Sequence, residues 1–498
     1  MSPSDDDRKR GLSRALYAEI RERIADGTYL TGSALPSTRS LAMERGLSRG
    51  TVSLVYEQLA ADGFLETRPG AASRVSAGAA TPAPVPRTRR PRVETQMLSA
   101  CHGPALSSIG RHIASLKVQD VEPIDSAEID FVYGPLSGKE FPTTIWLKAL
   151  RTVESRRSQR LAYEDPRGNL DLRQALQRHL SQTRGLSCAV EQIMIVNGSQ
   201  QALDLCARLL VGPGDGVMVE NPGYRMAHHA FEAYGATLLC VDVDEQGLQT
   251  DQLDSLGPVR LAYVTPTHQF PLGSFLPIAR RRALLAWAAA RHVWVIEDDY
   301  DSEYRYAVRP EPTLQSLDRH GCVIHVGTFS KTLSPQLRLG YMVLPSSLID
   351  VFSAAKRLTD RHAATGAQRA LALLLEDGSY DAHVRRMRRQ QQARQRTLAD
   401  ALTKHFGEHV RVEGSASGLH LVAWFHALLA SEEPALMQAA RDFGVRVHSL
   451  SPLYHPGAQP KDPARPAGLV MGYALLGLDE IEDGVHRLAA ATATLQRP

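Results

Sequence analysis

Apolar residues mark three short helices and a turn in the first 70 positions. Leu12, Leu16, Ile20 and Ile24 recur every four residues, with Arg14, Glu19, Arg21, Glu22 and Arg23 between them, the signature of one helical face. Asp26-Gly27 ends this helix, predicted over 12–25. Leu35-Pro36-Ser37-Thr38-Arg39 starts a second, with Ser37 as its N-cap, and Gly46 closes it. Ser48-Arg49-Gly50-Thr51 opens a third, which runs through Val52, Val55, Tyr56 and Leu59. Gly63–Gly70 reads as a strand leading into a tight turn. Helix, helix, turn, helix and a β wing predict a winged helix-turn-helix over residues 1–76.

The pattern breaks at about Ser76, where Ala, Pro, Thr, Gly and Arg dominate. Such a stretch buries too little apolar surface to order itself, and residues 77–125 are read as a linker. Beyond residue 128, short β-branched runs alternate with helical stretches. The runs are Ile193–Val196, Gly216–Val219, Leu261–Val264, Val293–Ile296 and Cys322–Val326, and the helices include Gln201–Leu210 and Arg280–Ala290. This predicts an α/β domain over 126–498 with a mostly parallel, fully buried sheet. Sites in such sheets lie outside the carboxyl ends of the strands.

Composition adds a few constraints. The 498 residues call for two to four domains, at roughly 100–200 residues each. The net charge is only +3, yet residues 1–92 carry 15 Lys/Arg against 10 Asp/Glu. A basic N-terminal module on a near-neutral body suits nucleic-acid binding by the module alone. Cys101, Cys188, Cys206, Cys240 and Cys322 are scattered with no CxxC, which argues against a zinc site or a disulfide framework and fits a cytosolic protein. The N-terminal MSPSDDDRKRG lacks an apolar core of the signal-peptide kind, and no run approaches 18 apolar residues.

The strand ends carry the chemistry. Thr328-Phe329-Ser330-Lys331 places an amine in a hydroxyl-rich turn, with Arg338 seven residues on. A lone Ser-Lys carries no signal, since most lysines are solvated. Here the surroundings count: Asp298 and Tyr300 follow the apolar run Val293–Ile296, and a carboxylate at that depth needs a cation. An amine, a carboxylate and a phosphate-binding guanidinium are what pyridoxal 5'-phosphate (PLP) requires. Gly198-Ser199-Gln200 stands at a strand–helix junction, where free N–H groups attract phosphate. Tyr224 ends another strand and offers a flat aromatic face. His268 and Gln269 end a further one and offer polar groups to a ring oxygen.

In order and spacing, these motifs resemble the fold-type I aminotransferases over roughly residues 128–498. The resemblance implies a PLP transferase fold, with a large domain over about 150–370 and a smaller α/β subdomain over about 371–498 joined by the N-terminal part. Lys331 matches the Schiff-base lysine, Asp298 the pyridinium partner and Tyr300 the ring-hydroxyl donor. Ser199, Gln200, Thr328, Ser330 and Arg338 fall in the phosphate-cup motifs, Tyr224 at the stacking position, and Gln269 or His268 in the motif that contacts the ring oxygen. Tyr163, in Tyr163-Glu164-Asp165-Pro166, matches a tyrosine that reaches the phosphate of a partner subunit, which implies a homodimer. In true aminotransferases an arginine of the small domain grips the substrate carboxylate. Gly468 falls at that position, and Arg465 is the nearest replacement.

The N-terminal runs Leu35–Arg39, Leu47–Val52 and Tyr56–Leu59 resemble the GntR-type winged helix. By match, Arg39, Ser48, Arg49 and Thr51 are its DNA contacts, with Arg68 near the wing; Ser53 stands where many relatives have arginine. The whole chain therefore resembles the MocR/GabR regulators. That resemblance implies a bacterial, cytoplasmic, nucleoid-associated homodimer that binds operator DNA. Its effector is an amino compound or PLP itself, and the imine is expected to report a ligand rather than to turn it over. A metabolic aminotransferase with an accessory DNA-binding domain, or another PLP enzyme such as a C–S lyase, is the alternative.

Overall fold

The computed structural model describes residues 5–67, 71–77, 106–116, 118, 128–156, 162–306, 312–458 and 464–495. Its contacts divide the chain into two units, Met1–Pro104 and Ala105–Pro498.

The first unit has helices Asp5–Ala25, Thr38–Arg45 and Arg49–Ala61, followed by an antiparallel wing of β1 (Leu65–Glu66) and β2 (Arg74–Val75). Leu16, Ile20 and Ile24 pack against Leu41, Val52, Val55, Tyr56 and Leu59 in one small core. Leu12, expected on the same face, is half exposed. Capping sets the helix boundaries. Ser37 Oγ accepts from the Ser40 amide at 3.1 Å, and Gly46 closes that helix in the left-handed conformation at φ 62°. Ser48 Oγ accepts from the Thr51 amide at 3.1 Å and starts the next helix. Among the described residues of the Gly63–Gly70 run, Leu65 and Glu66 pair in the wing with Val75 and Arg74. Arg68 lies outside the described residues.

Most of the stretch read as linker, 77–125, also lies outside the described residues. Within it, Ser108–Ser115 forms a helix, capped by Ser107, whose His112 Nε2 lies 2.6 Å from the Glu232 carbonyl oxygen. That segment is part of the second unit, so the linker reading does not hold there.

The second unit is built on a mixed sheet of eight strands. After β3 (Ile129–Asp130) come β4 (Ile193–Val196), β5 (Gly216–Asn221), β6 (Thr237–Asp244), β7 (Gly247–Leu248), β8 (Leu261–Val264), β9 (Trp294–Asp299), β10 (Val323–Thr328) and β11 (Gly340–Val343). The order is β4-β11-β10-β9-β8-β5-β6-β7. Strands β10, β9, β8, β5 and β6 run parallel, while β11 is antiparallel to both its neighbours and β7 to β6. Helices such as Ser199–Leu210 and Ile278–Arg291 bury apolar sides in clusters that include residues of these strands. That is why the strands read as continuous apolar runs rather than alternating ones.

A smaller antiparallel sheet joins β12 (Val410–Glu413), β13 (His420–Leu429), β15 (His448–Ser449) and β16 (Pro466–Gly472) in the order β12-β13-β16-β15. Strand β3 pairs in parallel with β14 (Val445–Arg446), which ties the start of the unit to its C-terminal part. Among the described residues no helix is long and apolar enough to cross a membrane.

Leu59 is fully buried at the centre of the first unit's core, so Leu59→Ala is expected to cost that unit about 2–5 kcal/mol. Calorimetry of the full chain should show one transition moved to lower temperature while that of the Ala105–Pro498 unit stays in place.

Candidate functional site

Four parallel strands of the main sheet, together with β4, end on one cavity of about 320 Å³. Ser199 and Gln200 reach it from beyond β4, Tyr224 from beyond β5, Asp298 and Tyr300 from β9, and Thr328, Ser330 and Lys331 from β10. Arg338 reaches it from the turn before β11. Nine of the expected cofactor residues therefore share one wall.

Lys331 Nζ donates to the Gly134 carbonyl at 2.8 Å. Burial lowers its pKa below the ordinary lysine value, against the pull of Asp301 and Asp298. More of the amine is thus unprotonated, and so nucleophilic, than on a surface lysine. Asp298 is buried. Its Oδ2 accepts from the Tyr263 hydroxyl at 2.8 Å, while its Oδ1 is buried with no hydrogen-bond partner. Burial pushes the Asp298 pKa up to about 6, although the Tyr263 bond pulls the other way.

At another part of the wall, Arg338 holds a left-handed backbone (φ 51°) and donates from Nη2 to the Asn197 carbonyl at 2.6 Å. Gly198 makes this approach possible: a Cβ there would lie 2.6 Å from Arg338 Nη2. Gly198 also precedes helix Ser199–Leu210 without a side-chain cap, so first-turn amides of that helix are free for an anion. Thr328 Oγ1 donates to Ser330 Oγ at 3.0 Å and accepts from the Ser330 amide at 3.1 Å, which fixes the hydroxyl turn before Lys331.

These residues fit PLP. A buried carboxylate oxygen lacks a cation, an amine of lowered pKa lies in the same cavity, and a guanidinium stands with an uncapped helix start for the phosphate.

Three expected residues stand elsewhere. Gln269 is not in the cavity wall: its Nε2 donates to the Pro222 and Phe270 carbonyls at 2.9 and 2.6 Å, and its Oε1 accepts from the Leu272 amide at 3.1 Å. It braces the loop, and its neighbour Phe270 faces the cavity instead. His268 lies behind Tyr300, with Nδ1 at 3.0 Å from the Tyr300 hydroxyl and 2.9 Å from Asp301 Oδ2. Tyr163 is largely exposed and stacks under Arg361, whose guanidinium carbon lies 4.3 Å from the ring centre.

Several wall residues escaped the sequence reading. Tyr263 hid inside an apolar strand run, and Asp301 followed acids already singled out. Tyr133 and His420 come from segments with no motif. His420 Nε2 lies 3.0 Å from the Pro271 carbonyl, and burial pushes its pKa down to about 3, so it is neutral at physiological pH.

Gly468, the residue matched to the carboxylate-gripping arginine, does not line the cavity. The Gly468 amide donates to Glu433 Oε1 at 2.9 Å, and a Cβ on Gly468 would meet Leu450 Cδ2 at 2.8 Å and Trp424 Cζ3 at 3.1 Å. Arg465 is absent from the cavity wall. Its Nη2 donates to Ser451 Oγ at 2.6 Å and lies 3.4 Å from Glu433 Oε1, and its guanidinium stacks 4.8 Å from the Tyr454 ring centre.

In the first unit, Arg39, Ser48 and Arg49 are exposed and Thr51 half-buried. The Ser48 and Thr51 hydroxyls lie 2.8 Å apart at the start of helix Arg49–Ala61.

The site and fold define a fold-type I aminotransferase unit joined to a winged helix. Residues 132–458 match the family model of class I and II aminotransferases, and residues 12–75 that of bacterial regulatory proteins of the gntR family. The chain is similar to the kynurenine aminotransferase of Pyrococcus horikoshii, solved with PMP (TM-score 0.68, 28% identity, 75% of this chain and 92% of that one). It is also similar to LysN of Thermus thermophilus, an α-aminoadipate aminotransferase solved with N-(5'-phosphopyridoxyl)-L-leucine (TM-score 0.67, 27% identity, 74% and 93%). Over its whole length it is 34% identical to the probable rhizopine catabolism regulatory protein MocR of Rhizobium meliloti (97% of this chain, 94% of that one). The transcriptional regulator TauR of Rhodobacter capsulatus is 32% identical (96% and 96%), and the pyridoxine biosynthesis regulator PdxR of Corynebacterium glutamicum 31% (78% and 78%). The chain belongs to the MocR-type family of helix-turn-helix transcription regulators, in which a GntR winged helix is fused to an aminotransferase domain.

The raised pKa of Asp298 has a stability consequence. The folded carboxyl holds its proton more tightly than the unfolded chain's, so stability falls as pH rises from about 4 through about 6. Above that window the ionised group costs about 3 kcal/mol, until a cation faces Oδ1. Asp298→Asn should therefore stabilise the cofactor-free protein at pH 7.5 and flatten its stability profile between pH 4 and 6. Denaturant melts check this. The same variant should bind PLP at least about tenfold more weakly, as read by fluorescence titration.

Proposed function

We propose that this regulator holds PLP on Lys331 and that an amino compound, or PLP itself, changes how the chain binds its operator. The observation that carries this reading is Asp298 Oδ1, buried without a partner in the same cavity as Lys331 and Arg338. Bound there, PLP supplies an aldehyde that condenses with amines and an electron-withdrawing ring. The residues of the chain do the rest. Asp298 would pair with the protonated ring nitrogen, and Tyr300 would donate to the ring oxygen. Ser199, Gln200, Ser330 and Arg338 would hold the phosphate, and Tyr224 would cover the ring. Lys331, whose pKa is lowered by burial, would supply the amine that holds the aldehyde.

On the DNA side, Arg39 and Arg49 serve as phosphate or base contacts, with Ser48 and Thr51 at the start of the recognition helix. The working form is a homodimer, in which the exposed Tyr163 reaches toward the partner's site. An effector shifts DNA affinity only as far as it binds one arrangement more tightly than the other.

A second reading, metabolic transamination, draws support from the full set of PLP-binding residues. Against it stands the absence of both Gly468 and Arg465 from the described residues that line the cavity, so neither position offers a grip for an α-carboxylate. Turnover of α-amino acids at about 1 s⁻¹ or faster would favour the enzyme reading.

Purified protein with PLP should show the near-visible absorbance band of lysine-bound cofactor, and Lys331→Ala should lose it. An unchanged band in the variant refutes the lysine assignment. Binding to a duplex from the upstream region of its own gene should weaken steeply with salt. Arg49→Ala should reduce that binding by roughly tenfold or more in an anisotropy assay.

A further inference from the structure

Helix Arg49–Ala61 buries Val52, Val55, Tyr56 and Leu59 in the core of the first unit. At about 100° per residue, Leu54 lies opposite that face, with Gly50 one turn before it and Glu57 about one turn after. Leu54 is 64% exposed, on a helix whose other large apolar side chains are buried.

Gly50 is equally unexplained by the fold. Its φ is not in the left-handed region, and a Cβ built on it would meet nothing closer than Ser48 Oγ at 3.9 Å. Glycine is a poor helix former, so neither backbone nor packing asks for it here. A missing side chain and a projecting apolar one thus stand together at the outer pole of the helix. Arg49 and Thr51 flank the gap, and Ser53 occupies the neighbouring position with only a short hydroxyl.

We propose that Leu54 reads the 5-methyl group of a thymine in the major groove, and that the bare backbone at Gly50 lets the helix approach closely enough for that contact. This rests on the reading that the winged helix binds duplex DNA. In the major groove thymine alone among the four ordinary bases presents a methyl group, so an apolar side chain there selects A·T pairs without a hydrogen bond. A leucine suits this task as an arginine cannot, and it supplies sequence information where Ser53 has no long side chain to offer. Arg39 and Arg49 provide the charge that such a contact lacks.

The test selects duplexes with the full-length protein from a random-sequence library and then replaces each dT by dU, which removes only the methyl group. Wild-type protein is expected to bind about fourfold more weakly when one or more defined thymines are replaced, the effect of one buried methyl. Leu54→Ala should bind the dT and dU duplexes equally at those positions while keeping its salt dependence. Because Leu54 is exposed, this variant should melt as the wild type does. Gly50→Ala should not lower the melting temperature of the unit, yet it should weaken the selected duplexes by about tenfold. The inference is overturned if no dU replacement changes wild-type affinity, or if Leu54→Ala keeps the discrimination. A protein that captures no duplex from the library overturns the DNA-binding reading, and this inference with it.

Discussion

A buried carboxylate oxygen with nothing to bind is the constraint around which the second unit is organised. Asp298 sits at the end of a central strand, out of reach of water, and only one of its two oxygens is satisfied. Such a group is costly in isolation, and a protein keeps one where a ligand removes the cost. Its position follows from the topology. Strand β9 lies between β8 and β10, so its C-terminal end faces Tyr263 on one side and the turn carrying Lys331 on the other. The parallel arrangement brings five strand ends to the same edge, which is why residues from 133 to 420 meet in one cavity.

The anion-binding end is held by backbone rather than by side-chain packing. Arg338 takes a left-handed conformation, uncommon for a residue with a Cβ, and its guanidinium is pinned to the Asn197 carbonyl. Gly198 is the permissive element, since any side chain there would collide with Arg338. Asn197 is itself braced, its side-chain amide donating to Asp360 at 2.8 Å, while Lys356 neutralises that carboxylate. Under the proposed reading the guanidinium is thus aimed before a phosphate arrives, and less ordering entropy would be lost on binding.

The sequence was legible where chemistry and local backbone rules coincide. Lys331 and Asp298 stand at strand ends that apolar periodicity locates unaided, and Ser37, Gly46 and Ser48 mark helix boundaries through capping. It was least legible where side-chain direction decides the role. His268 and Gln269 are two candidates for one contact, and only the folded loop shows Gln269 turned to backbone partners and Phe270 turned to the cavity. Tyr263 looked like strand core because its ring is buried, although its hydroxyl governs Asp298. Strand β11 escaped notice: it follows β10 after a short turn but inserts antiparallel between β10 and β4, which is far from it in sequence.

The absence of Gly468 and Arg465 from the described residues that line the cavity bears on what the site does with an amine. Glu433 is fully buried and accepts from the Gly468 and Ser451 amides, with the Arg465 guanidinium at its side. The cation that might have met a carboxylate is thus committed to an internal partner, and separating that pair would strand a buried charge. Among the described wall residues the remaining cations are Lys331 and Arg338, which the proposed cofactor site would engage, and His420 is neutral. Transamination needs the bound amine held in a fixed orientation for proton removal, and orientation is what a missing clamp forfeits. Sensing requires only that the amine, or the cofactor, stay bound long enough to favour one arrangement of the protein. Under the proposed reading, the anchors that hold the cofactor serve that second requirement.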